Sequence, residues 1–69
     1  MRINLINARK SLGLTQLQVS KKVEISERHY QKLEAGTSNG SVEIWCKLKD
    51  LFNKPIDCLL KQAIDTKIN

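Results

Sequence analysis

Apolar residues recur along this chain at intervals of three and four and almost nowhere in alternation, a pattern that predicts helices and no strands. Leu5, Ala8 and Leu12 mark a first amphipathic segment, which Gly13 stops. Val19 and Val23 mark a second. Thr15 opens it as an N-cap, and Gln18, three positions on, completes a capping box. Glu24 and Ile25 interrupt that helix, and Ser26 caps a third, helix 26–35, which carries Tyr30 and Leu33 inward and closes at Gly36. The turn-rich Thr37-Ser38-Asn39-Gly40 follows. Ser41 then caps a fourth helix in which Val42, Trp45, Leu48, Leu51 and Phe52 share one face. Asn53-Lys54-Pro55 breaks it, and because proline is tolerated at a helix start a fifth helix is expected from Ile56 to about Ala63, with Ile56, Leu59 and Leu60 inward. The fold class is all-α, a compact five-helix bundle. It forms a single domain over 1–69, with a core of about 3–63 and a tail of about 64–69 that frays or enters a dimer contact.

A chain of 69 residues has room for one small domain, with no second effector domain, and buries only about 60% of its unfolded surface, so its core must be economical. Twelve basic against seven acidic residues give +5. The imbalance is sharpest at the start: Arg2, Arg9, Lys10, Lys21 and Lys22 all precede the first acidic residue, Glu24. Such a cationic block suits a polyanion, although scattered lysines are by default a solvated surface. No apolar run approaches the roughly 18 residues of a membrane span and no secretory leader is apparent, so a cytoplasmic protein is expected. Cys46 and Cys58 lie far apart without histidine or cysteine at zinc-ligand spacing; they read as small buried or half-buried hydrophobes, and no metal or cofactor is expected. No nucleophile–base pair or carboxylate constellation surrounds His29, so the sequence offers no active site.

The segment TQLQVSKKVEISERHYQKLEAG, two short helices around a tight turn, has the shape of a helix-turn-helix built from the second and third helices. Around it, Leu5, Arg9, Gly13-Leu14-Thr15-Gln16, Val19, Val23, Ile25-Ser26, Tyr30, Leu33-Glu34, Gly36, Val42, Leu48, Phe52 and Ile56-Asp57-Cys58-Leu59-Leu60 resemble the phage repressor and Cro family, also called the XRE family, over about Leu5 to Leu60. The resemblance implies a lambda-repressor-like domain that binds operator DNA as a homodimer and regulates transcription. It also implies that Gln16 clamps the DNA backbone, and that Arg9 and Glu34 form a partly buried ion pair joining helix one to the end of the third helix.

With Ser26 as cap, Tyr30 and Leu33 face Val19 and Val23, while Arg28, Gln31, Lys32 and Ala35 point away as a reading face. Arg28 suits the forked contact to guanine O6 and N7, with Lys32 one turn behind it. Gln31 suits adenine; Glu27 suits either the helix dipole or a cytosine amino group. Ser26, His29, Thr37, Ser38, Asn39 and Ser41 are candidates for phosphate, together with Gln16 at the start of the second helix, where free amides collect. Relatives often carry lysine or arginine in the 37–40 loop and arginine or asparagine at Ala35, so backbone binding here is expected to be modest and unusually salt-insensitive.

Further departures from the family pattern set expectations of their own. Glu24 replaces the glycine usual in the turn and is expected at positive φ. Ser20 replaces an alanine. Lys49 stands for a small residue, with its stem expected along Trp45 or Leu48. Tyr30 is expected in the core with its hydroxyl at the edge. Leu60, Ile64 and Ile68, four apart, form a stripe suited either to a second copy or to folding back on the domain. The leading reading is a sequence-specific double-stranded DNA-binding regulator, a repressor rather than an activator because no surface for recruiting polymerase is visible, with no membrane or small-molecule partner. The alternative is a protein-interaction module, an antitoxin or assembly partner on the same fold.

Overall fold

The computed structural model of the chain describes residues 1–61. Within them lie α1 (Ile3–Ser11), α2 (Gln16–Lys22), α3 (Glu27–Ala35), α4 (Val42–Phe52) and α5 (Ile56–Leu60), and there is no strand among the described residues. The starts follow from local chemistry. The Thr15 hydroxyl accepts from the Gln18 amide at 3.1 Å while the Gln18 side chain accepts from the Thr15 amide at 2.8 Å, which completes the capping box. Ser26 and Ser41 accept from the amides of His29 and Ile44 and so open α3 and α4.

The ends of the first three helices share one device. A residue with positive φ follows the last turn, and two amides reach back to the final carbonyls. Glycine fills that position after α1 (Gly13) and α3 (Gly36). After α2 it is Glu24, at φ 63: its amide donates to Lys21 and that of Ile25 to Ser20 at 2.9 Å. A side chain at this φ costs about 1 kcal/mol. Lys47 of α4 meets the Glu24 carboxylate at 2.7 Å on the surface and ties the turn to that helix.

One core closes the bundle: Leu5 and Ala8 of α1, Val19 of α2 with Val23 at its end, Tyr30 and Leu33 of α3, Trp45, Leu48 and Phe52 of α4, and Leu59 of α5. Packing runs α2 on α3, α1 on α5 and α3, and α4 on α5. A fully buried leucine in such a core contributes about 1.5–3 kcal/mol, so a chain this small depends on each of them.

Several sequence expectations are corrected. Val42 belongs by period to the buried face of α4, yet it is 78% exposed, because it stands in the first turn where no other element covers that face. Leu12 caps α1 and is exposed as the chain turns at Gly13. Cys46 is exposed, and only Cys58 is half-buried. Lys49 is exposed, with its ammonium beside Asp50. The Tyr30 hydroxyl is not at an edge but fully enclosed. Helix five stops at Leu60, short of Ala63. Lys61 is extended, and the last carbonyls are taken by α1 and the residue before it: Asn4 donates to Cys58 O at 3.1 Å and Arg2 to Leu60 O at 3.2 Å. Ser20 is buried without strain, its hydroxyl donating to Leu17 O at 2.7 Å.

Gly40 has φ +68, and a Cβ there would meet Leu33 Cδ2 at 2.9 Å and Trp45 Nε1 at 3.1 Å. Gly40→Ala is therefore expected to lower the unfolding free energy by about 1–3 kcal/mol, read by urea denaturation; an unchanged midpoint would show that the loop yields.

Candidate nucleic-acid interface

The third helix divides by side. Tyr30, Leu33 and Glu34 are buried, while Glu27, Arg28, Gln31, Lys32 and Ala35 are all exposed. Neither Arg28 nor Lys32 has an ion-pair partner among the described residues. Ser26, Arg28, His29 and Lys32 line one shallow hollow with Thr37 and Ser38 of the following loop, so a cap hydroxyl, two cations, an imidazole and two loop residues converge there. Glu27 and Gln31 are exposed on α3 outside that hollow, and Asn39 and Ser41 lie further along the same loop. Some of these groups already have partners. The Ser26 and Ser41 oxygens accept the capping bonds, which leaves each hydroxyl proton free to donate. Asn39 uses Oδ1 and its carbonyl for Arg2 and Trp45 and keeps its amide N–H donors.

On its buried side the helix is held by Glu34. Arg9 Nε donates to Glu34 Oε2 at 2.7 Å and Arg9 Nη2 to Oε1 at 3.4 Å, while Arg9 Nη1 reaches Leu14 O at 3.0 Å. Gln16 Nε2 also donates to Glu34 Oε1, at 2.9 Å, so one amide hydrogen of Gln16 is committed inward and one is left for an outside acceptor. The side chains of Arg9 and Glu34 are 13% and 4% exposed, and the hydrogen bond to Glu34 raises the Arg9 guanidinium above its ordinary pKa. The Tyr30 hydroxyl feels both charges but makes no aligned hydrogen bond among the described residues. Burial first, and then the nearby carboxylate, push its phenol far above the ordinary value.

The sequence profile of the helix-turn-helix family matches residues 5–57 of the 69. The chain belongs to that family, as a domain of the XRE and Cro type. Comparison with curated proteins and with solved structures returns no match. The helix-turn-helix is α2, the Glu24 turn and α3, and the domain is a DNA-binding one of a regulatory family. Among the described residues no helix is long and apolar enough to cross a membrane.

One residue of the helix-turn-helix domain was misread from sequence. Arg2 counts there towards the cationic block, but it is 2% exposed, with its guanidinium spread over carbonyls of three segments and 5.2 Å from the centroid of the Trp45 ring. Desolvation lowers its pKa from the usual arginine range. No local pattern marks it, since its side-chain partners lie 31 to 58 positions away. Of the early cations Lys10, Lys21 and Lys22 are exposed, and Arg28, Lys32, Lys49, Lys54 and Lys61 are exposed further along the described chain.

Removing either partner of the Arg9–Glu34 pair strands a charge. Arg9→Met and Glu34→Ala are each expected to cost about 3–5 kcal/mol in urea unfolding, and the double variant less than their sum; full additivity would mean that the pair carries no coupling. Tyr30→Phe should be neutral or stabilising near pH 7, since it removes a buried hydroxyl that has no partner. Its pH effect has a definite sign. The phenol is raised on folding, chiefly by burial, so folding carries no titration penalty below the unfolded value of 10.0 and an increasing one as pH climbs beyond it. Tyr30→Phe is therefore expected to resist alkaline unfolding better than the parent, and identical alkaline midpoints would contradict that linkage.

Proposed function

We propose that this chain is a sequence-specific double-stranded DNA-binding transcriptional regulator, a cytoplasmic repressor that reads the major groove with α3 and binds its operator as a homodimer. The observation that carries the reading is the outward face of α3: Arg28 and Lys32, exposed and without an ion-pair partner among the described residues, share one hollow with Ser26, His29, Thr37 and Ser38, while Glu34 anchors the opposite side. Two unpaired cations converging with small donors are what a phosphate-lined groove attracts, and a helix held rigidly from behind can place a fork on a base edge.

In this reading Arg28 takes guanine O6 and N7, Lys32 follows one turn behind, Gln31 reads adenine, and Glu27 accepts from a cytosine amino group or serves the helix dipole. Gln16 gives its second amide hydrogen to a phosphate. Ser26, His29, Thr37, Ser38, Asn39 and Ser41 hold the backbone on the flank, with the first amides of α4 behind them. Repression follows from occupying a promoter. A two-fold dimer reading half-sites one helical turn apart, about 34 Å, multiplies discrimination. Leu60 is half-buried at the end of α5, and Ile64 and Ile68, which complete the expected stripe, lie outside the described residues.

Selection of bound sequences from a random duplex pool at about physiological salt tests this directly. A palindrome with half-sites one turn apart is the expected result. An asymmetric motif would argue for a monomer or a second chain, and no enrichment would favour the protein-interaction reading. On the selected duplex, Arg28→Ala is expected to relax one base pair at a cost of about 1–3 kcal/mol, whereas Gln16→Ala should weaken all sequences alike. Unchanged preference in Arg28→Ala would remove that assignment.

A further inference from the structure

Arg2 has no carboxylate partner among the described residues, although it is buried. Carbonyl dipoles replace one. Nη1 donates to Leu33 O at 2.7 Å and to Ser38 O at 2.8 Å, Nε to Leu60 O at 3.2 Å, and Nη2 to Asn39 Oδ1 at 3.4 Å. A charge held inside without a counter-charge is costly, and an aliphatic side chain would fill the space at less expense in desolvation. What only a planar fork supplies is several donors at fixed angles, enough to join the end of α3, the 37–40 loop and the end of α5 at one point.

Two of the four acceptors belong to the loop. Trp45 holds the same stretch from the other side, its indole N–H donating to Asn39 O at 2.6 Å, and Gly40 follows in a conformation that leaves no room for a side chain. The segment carries no lysine or arginine, so any grip it has on an anion depends on neutral donors standing in fixed places.

We propose that Arg2 is the positioning residue of the loop that meets the DNA backbone: from inside the domain it fixes Ser38 and Asn39, so that the loop and the start of α4 present their donors to phosphate in one geometry, and it touches no nucleic acid itself. The proposal rests on the reading above, in which residues 37–41 face phosphates.

The test uses the whole chain, with the duplex enriched in the selection and an unrelated duplex of equal length. Arg2→Lys keeps the charge and loses the fork. Trp45→Phe keeps an aromatic ring in the core, changes no charge, and loses the other tether. In variants that are folded by circular dichroism, affinity for both duplexes is expected to fall about tenfold with their ratio unchanged, and the slope of log K against log salt to stay the same, because the loop's donors are neutral and both variants keep the charge. Amide exchange at Ser38, Asn39 and Gly40 should quicken while α2 keeps its protection. Loss of thermal stability alone, with affinity intact, would make Arg2 merely structural and overturn the proposal; so would a changed ratio between the duplexes. If Arg2→Lys does not fold, Trp45→Phe decides alone. Thr37→Glu separates the two levels. A carboxylate there that leaves binding unchanged would sink the loop reading and the proposal with it, whereas weakened binding beside unaltered Arg2→Lys and Trp45→Phe would sink the proposal only.

Discussion

The orientation of α3 depends on the Glu34 carboxylate. It receives Arg9 from α1 and Gln16 from the first turn of α2, and the Glu34 backbone carbonyl receives the amide of Arg2 at 2.8 Å. One acidic residue near the end of a nine-residue helix thereby fixes that helix against both of its predecessors. Apolar contacts alone set a helix pair only to within a broad range of crossing angles. A charge-assisted fork is narrower, because distance and plane both matter. Since Gln16 shares the same carboxylate, the position of a candidate phosphate donor on α2 is linked to the register of the outward face of α3.

That arrangement coexists with local strain and costly burial elsewhere. Glu24 adopts a backbone conformation that glycine would take freely, and it is the Lys47 contact that gives the side chain something to do there: the ion pair lowers the Glu24 pKa and raises that of Lys47, first through their mutual hydrogen bond. Among the described residues Arg2 is desolvated without a carboxylate, and the Tyr30 hydroxyl is enclosed without an aligned hydrogen bond. None of the three stands on the outward face of α3. A small domain with little stability in reserve tolerates such groups only where other contacts over-determine their surroundings, as the Leu33, Trp45 and Leu48 side of the core does.

What was legible in the sequence was what is decided within a few residues. Capping by Thr15, Ser26 and Ser41 and closure by Gly13 and Gly36 all act over three to five positions, so helix starts and most helix ends could be read directly. The exposed side of α3 followed from its period, because Tyr30 and Leu33 leave only one face for Arg28 and Lys32. Arg9 with Glu34 came from the family resemblance, not from spacing, since the partners stand 25 positions apart. Period failed at Val42, where a helix end outruns its neighbours, and at α5, where Arg2 and Asn4 take carbonyls that another helical turn would have used. Gln16 with Glu34 and Lys47 with Glu24 were invisible for the same reason as Arg2: side chains that meet across the fold leave no mark on local pattern.

Arg2 and Asn4 reach Leu60 and Cys58 across sequence separations of 58 and 54, so the first and last helices of the described chain meet through directed bonds. Closing so long a loop is entropically the most expensive step available to the chain, although the cost grows only logarithmically with length. Contacts between α2 and α3 are local and can form early; the junction of α1 with α5 has to wait for almost everything between them. By sequence separation alone, α3 belongs to the parts whose contacts can close early and the α1–α5 junction to those that close late.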